Sequence, residues 1–192
     1  SRQPLNTLRY YFLGPFMDSF SFFNMLESAI PLIFSGLGMA IAFRSGVTNL
    51  GGEGQIFSGA MVAVILGSSL PNLPGPVGIL LLMVAGAAAG ALLAGLSGWL
   101  RMQFKISDLL TSYLISSGIV YVINYLVLGP FRDPSKITIQ SVSIPVSYTL
   151  SRFLPPSYIH TGIFIALAAA VVIFIILRKT HFGYELRATG SN

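Results

Sequence analysis

The sequence predicts an all-α, polytopic transmembrane helix bundle, and three observations predict it. Only 9% of its 192 residues are charged, against about 25% in a soluble domain. Apolar residues make up 54% of the chain, and the mean hydropathy is +0.77. The apolar residues gather in uninterrupted runs, without the even alternation of barrel strands. A water-soluble fold needs more polar surface than this composition supplies. The absence of cysteine excludes a disulfide scaffold, and the apolar content excludes disorder.

Five runs are expected to cross the membrane, a span needing about 20 mainly apolar residues. They are Ala29–Phe43, Ile56–Leu70, Val77–Leu100, Leu109–Leu128 and Gly162–Leu177. In the third, Gly86, Gly90, Ala94 and Gly98 recur at four-residue intervals, a small-residue ridge along which another helix backbone can approach closely. Gly38, Ala42 and Gly46 extend a similar, shorter ridge on the first.

Loops are expected at Pro71–Pro76, at Arg101–Asp108 and at 129–160. The last is a proline-rich extramembrane lobe with prolines at 130, 134, 145, 155 and 156 and a β-prone run, Ile137-Thr138-Ile139-Gln140. The chain reads as one partial transmembrane domain, 1–192. It opens on Ser1 rather than Met, shows no signal peptide and stops abruptly at Asn192, so both ends are expected to be cut. Five spans would put the two ends on opposite sides. A cytosolic C-terminus places Arg44, Arg101, Lys105, Arg178, Lys179 and Arg187 inside, and Arg2, Arg9, Arg132, Lys136 and Arg152 outside. That bias is too small to fix the orientation.

Eleven basic residues against six acidic ones give a pI near 9.7. The basic residues are scattered, which fits anchoring at lipid headgroups and argues against a nucleic-acid partner. With two histidines and no cysteine, no metal site is expected.

The segment Arg44-Ser45-Gly46-Val47-Thr48-Asn49-Leu50-Gly51-Gly52-Glu53-Gly54-Gln55 interrupts the hydrophobic region. Gly46, Gly51, Gly52 and Gly54 open the backbone, and Asn49, Glu53 and Gln55 place polar groups beside it. Broken helices of this kind can line a translocation path, where irregular backbone faces water or protein. An ionisable group there, Glu53, is a functional candidate. An ordinary surface loop closed by an Arg44–Glu53 ion pair stays open as the alternative. Tyr113, Tyr121, Asn124 and Tyr125 give the fourth run a polar, aromatic side that suits either a path or interhelical packing.

Phe43-Arg44-Ser45-Gly46 followed by Asn49 to Gln55 resembles the F-R-x-G-x-x-N-I-G-x-E-G-Q signature of ABC importer permeases of the nucleoside or simple-sugar type, within the branched-chain amino acid and ribose permease family. Leu50 replaces the usual Ile. Ala29-Ile30-Pro31-Leu32-Ile33 and Gly36-Leu37-Gly38 fit the family's entry into this helix, and Gly129 to Pro134 resembles the start of its extracytoplasmic loop. Thr180 to Asn192 resembles the T-x-x-G-Y-E-L-R-A-x-G-x-N opening of its cytosolic coupling helix. Ile106-Ser107-Asp108 stands where the family often has V-N-E, which leaves any role of that Asn-Glu pair in question.

The resemblance implies the permease subunit of an ATP-driven importer in the bacterial plasma membrane, moving nucleosides or simple sugars, with ribose-type sugars or branched-chain amino acids as the alternative. The chain has no Walker A loop: Lys105 and Lys136 precede Ile, and Arg178 stands before Lys179 where glycine is needed. ATP and magnesium would therefore sit on a separate cytosolic ATP-binding subunit, and this chain would be no enzyme. The region 178–192 would begin the coupling segment. Gly183 would end the preceding helix, while Tyr184, Glu185, Leu186, Arg187, Ala188, Gly190 and Asn192 would lie in a groove of the ATPase, with Glu185 and Arg187 making charged contacts. The resemblance further implies a second permease subunit, the same or related. An extracytoplasmic substrate-binding protein would dock on the lobe and on the outward-facing stretch Pro4–Phe23, where Asp18, Arg132, Asp133, Lys136 and Arg152 are candidate docking charges. A remote reading from another class uses Gly95-Leu96-Ser97-Gly98 as the serine motif of an intramembrane protease, with His160 or His181 as base.

Overall fold

The structure, a computed structural model, describes residues 4–190. The helices run α1 Pro4–Met17, α2 Ser19–Arg44, α3 Gly52–Ser69, α4 Gly75–Phe104, α5 Asp108–Leu128, α6 Gly162–Lys179 and α7 His181–Gly190. A single 3-10 turn, Val146–Tyr148, interrupts the long connection between α5 and α6. The fold is all-α, as the composition predicts. Four helices are long and apolar enough to cross a membrane: α2, α4, α5 and α6. The fifth expected run, Ile56–Leu70, lies in α3, where glycines and serines, with Glu53 and Gln55 in the first turn, dilute the apolar content. The chain is a multi-pass membrane protein.

The burial pattern is inverted relative to a soluble domain. On α5 the buried residues are Thr111, Ser112 and Ser116, whereas Leu109, Leu110, Leu114, Val122 and Leu128 are exposed. Lipid removes any penalty for outward leucines, so packing uses small and hydroxyl-bearing side chains.

The residues form two compact units, one reaching Ile41 and resuming at Leu150, the other running from Ala42 to Thr149. In the first, Ile30 of α2 packs with Ile159, Ile163 and Ala166, and Phe23, Leu26 and Ile33 join them. Asp18 starts α2: its Oδ1 accepts the Ser21 N–H at 2.8 Å, and that bond holds the carboxyl below its ordinary pKa. The sequence reading places α1 within an outward-facing stretch without assigning it a helix. Pro4 opens it, where the missing N–H costs nothing.

In the second unit α3 packs against both α4 and α5. A Cβ on Gly59 would lie 2.9 Å from the Gly86 carbonyl oxygen, and one on Gly90 would lie 3.3 Å from that of Gln55. Gly86 and Gly90 are thus the working half of the ridge on α4, while nothing approaches Gly98. The shorter ridge on α2 is not one. Gly38 faces open space, and Gly46 lies beyond the helix with φ 73°.

The lobe contains no strand among the described residues. The β-prone run 137–140 stays irregular, leaving only single bridges Arg132–Ser141 and Arg152–His160. Prolines on both sides supply no N–H for a ladder. Asp133 instead closes a turn on Ser135, whose hydroxyl at 2.6 Å lowers the carboxyl's pKa. Tyr148, buried, anchors the lobe to the α3–α4 connection. Its hydroxyl donates to the Leu70 carbonyl and accepts the Leu73 N–H at 2.8 Å. Its ring lies against Gly78, where any Cβ would collide with it.

Candidate functional site

The glycine-rich segment between α2 and α3 is built residue by residue. Gly46 N–H reaches the Phe43 carbonyl at 3.2 Å and Val47 N–H the Ala42 carbonyl at 3.0 Å. With Gly46 at φ 73°, this is a Schellman stop, and it ends α2 with its last carbonyls satisfied. A side chain at that φ would cost about 1–2 kcal/mol.

Beyond the stop, the chain lies along α5. Thr48 N–H donates to Asp108 Oδ2 at 2.9 Å, Leu50 N–H to Ser112 Oγ at 3.0 Å and Gly54 N–H to Ser116 Oγ at 2.8 Å. Asp108, Ser112 and Ser116 are four apart on one helix face. They supply partners for backbone groups that the break between the helices leaves open. Asp108 also holds Arg101, Nη1 to Oδ2 at 3.0 Å. The acid at the position where the resemblance is loosest is therefore a structural clasp, joining α4, α5 and the link.

Asn49 and Gln55 face each other. The Asn49 Nδ2 donates to Gln55 Oε1 and the Gln55 Nε2 to Asn49 Oδ1, both at 3.3 Å. Asn49 Oδ1 also accepts the Gly51 N–H at 2.8 Å, an Asx turn. A Cβ on Gly51 would fall 2.9 Å from Asn49 Oδ1, and one on Gly54 would fall 2.7 Å from Ser116 Cα. These two glycines are required by close approach. Gly52 opens α3.

Glu53 is exposed in the first turn of α3, where the helix dipole favours a negative charge. The Arg/Lys–carboxylate ion pair among the described residues is Arg101–Asp108, while His181 Nδ1 contacts Glu185 Oε1 at 3.3 Å. The Arg44–Glu53 pair is not formed, because the Schellman and Asx turns carry the backbone away along α5. Tyr121 and Asn124 do not join Asn49 and Gln55. Nine residues beyond Ser112, Tyr121 lies on about the opposite face of α5, and Asn124 about a third of a turn away. Both are exposed. Sequence reasoning overlooked Thr48, Arg101, Ser112 and Ser116. The four-residue spacing of Asp108, Ser112 and Ser116 was the available signal.

At the C-terminus, α6 stops at Lys179 and Gly183 lies inside α7. Gly183 therefore does not end the preceding helix. Thr180 does so, its hydroxyl donating to the Ile176 carbonyl at 2.7 Å and accepting the Gly183 N–H at 3.1 Å. Glu185 pairs with His181 at 3.3 Å, and the Arg187 guanidinium donates to the Leu177 carbonyl. Tyr184, Glu185 and Ala188 are exposed, Leu186 is half-buried, and Gly190 is the last described residue. Asn192 lies outside the described residues.

The protease constellation fails on Ser97. Its buried hydroxyl is spent on its own helix, donating to the Ala94 carbonyl at 2.8 Å, a back-bond typical of serine in membrane helices. His160 uses its Nδ1 to accept the Gly162 N–H at 3.1 Å.

Comparison with known proteins agrees with this architecture. Residues 21–192 match the profile of the family described as branched-chain amino acid transport system / permease component. Among similar proteins is a guanosine ABC transporter permease protein of Bacillus subtilis, 31% identical over 93% of this chain and 52% of the relative. A glucose ABC transporter permease protein of Haloferax volcanii is 27% identical over 98% of this chain and 52% of its own length. A probable riboflavin import permease protein of Treponema pallidum is 30% identical over 99% of this chain and 50% of its own. The chain spans about half the length of these curated relatives. No solved structure matches it. The chain belongs to the branched-chain amino acid transport system / permease component family.

Proposed function

We propose that the chain is part of the transmembrane permease subunit of an ATP-binding cassette importer that moves nucleosides or simple sugars across the bacterial plasma membrane. The observation that carries this reading is the match along residues 21–192 together with the similarity to a guanosine permease. Energy comes from a separate cytosolic subunit that binds ATP and magnesium. A second permease subunit completes the pathway, and an extracytoplasmic binding protein delivers the substrate. Asn49, Glu53 and Gln55 border the path, supported by a broken, glycine-rich backbone held on α5 within a membrane bundle. Tyr121 and Asn124, on another face of α5, contribute from a neighbouring wall. ATP-driven closure of the ATPases rocks the permease halves between outward and inward states.

The test is uptake by proteoliposomes holding the full-length permease, its ATP-binding subunit and its binding protein. ATP-dependent accumulation of radiolabelled guanosine or glucose is expected. Accumulation of leucine alone would move the assignment to the amino acid branch, and no ATP-dependent accumulation of any of the three would contradict the reading.

A further inference from the structure

Arg187 and Gly183 both stand in the segment read above as contacting an ATPase, yet the structure turns them toward their own chain. Gly183 is buried against the end of α6. A Cβ there would press on the Ile176 carbonyl oxygen and lie 2.7 Å from that of Leu177. Arg187 donates to the Leu177 carbonyl, one of the groups that a helix end leaves without an intrahelical partner. Thr180 serves both helices: its hydroxyl closes α6 on Ile176 at 2.7 Å and caps α7 on Gly183 at 3.1 Å. The Tyr184 N–H reaches the Thr180 carbonyl at 3.1 Å. Three residues spaced along the segment thus make the same connection, α7 onto the last turn of α6. Phe182, Tyr184 and Glu185 point outward and are exposed.

We propose that Arg187 is a positioning residue that locks α7 to the C-terminal end of α6, making the two helices one rigid elbow, and that the ATPase is met by Tyr184 and Glu185 instead. The proposal rests on the reading of 178–192 as a coupling segment. A hinge at Thr180 would let α7 follow the ATPase while α6 stayed still. The lock converts any displacement of α7 into a displacement of α6, which crosses the membrane. A cation at the carbonyl end of α6 also opposes the negative end of its dipole.

The experiment uses the full-length permease with its ATP-binding subunit in liposomes, and spin labels at Ile175→Cys and Thr189→Cys, on exposed positions of α6 and α7. In Arg187→Gln the distance distribution between the labels is expected to broaden. The ATPase subunit should stay bound, and the ratio of substrate imported to ATP hydrolysed should fall about tenfold, a typical coupling free energy. Arg187→Lys, which keeps a cationic donor, should recover part of that ratio. Tyr184→Ala combined with Glu185→Lys should release the ATPase subunit and leave the label distance unchanged. An unchanged label distance in Arg187→Gln, or loss of the ATPase subunit in that variant, would overturn the proposal. A wild-type permease that holds no ATPase subunit would contradict the functional reading, whereas an unchanged label distance in Arg187→Gln overturns the lock whether or not the ATPase subunit is bound.

Discussion

A membrane helix bundle gains little from burying leucine, so single atoms at close contacts decide its geometry. Gly54 shows this most plainly, with its N–H on Ser116 Oγ at 2.8 Å and no room for a Cβ against Ser116 Cα. Gly54→Val is expected to push α3 from α5 and cost about 1–3 kcal/mol. Thermal unfolding of the purified permease in detergent would record the loss; an unchanged midpoint would mean that the contact is looser than described. Asp108 works by charge as well as shape, accepting from both Thr48 and Arg101 with one oxygen. The signature glycines are legible in the sequence, but their reasons differ. Gly46 is needed for a left-handed turn and Gly51 and Gly54 for close approach, and spacing alone does not separate these causes.

Among the elements, α3 is the one whose role hydropathy shows least. Its first turn is polar, and it packs between α4 and α5 through glycine contacts. Helix positions were legible because apolar runs mark them. Their ends were not, because α2 begins ten residues before its apolar run and is started by Asp18. The β-prone run of the lobe, Ile137–Gln140, forms no strand, because its propensity has no partner strand to act on. The lobe's order comes from Tyr148, whose hydroxyl satisfies Leu70 and Leu73. Tyr148→Phe leaves both groups unpaired and is expected to lower stability by about 1–3 kcal/mol, with the loop 129–149 becoming more sensitive to proteolysis. Wild-type resistance in that variant would show that the ring alone holds the lobe.

On the scale of the whole molecule, low charge content identified the membrane class, and the few exceptions mark the segments proposed as functional. Glu53 and the Arg178–Arg187 stretch lie in the link and in the α6–α7 elbow. The hydrogen-bonded support beneath the link was not legible, since Ser112 and Ser116 resemble any helix serines until the chain folds over them. The central claim is that the Asn49–Gln55 segment borders an ATP-gated path. Residues 1–192 contain no cysteine, so Glu53→Cys gives a single reactive site in this region. The direct measurement is its rate of labelling by a membrane-impermeant maleimide in the reconstituted transporter, with and without ATP and substrate. The rate is expected to change on ATP binding and to fall when substrate is present, while Leu92→Cys, exposed on the apolar surface of α4, stays unreactive throughout. Equal labelling of Glu53→Cys in every state would contradict that claim.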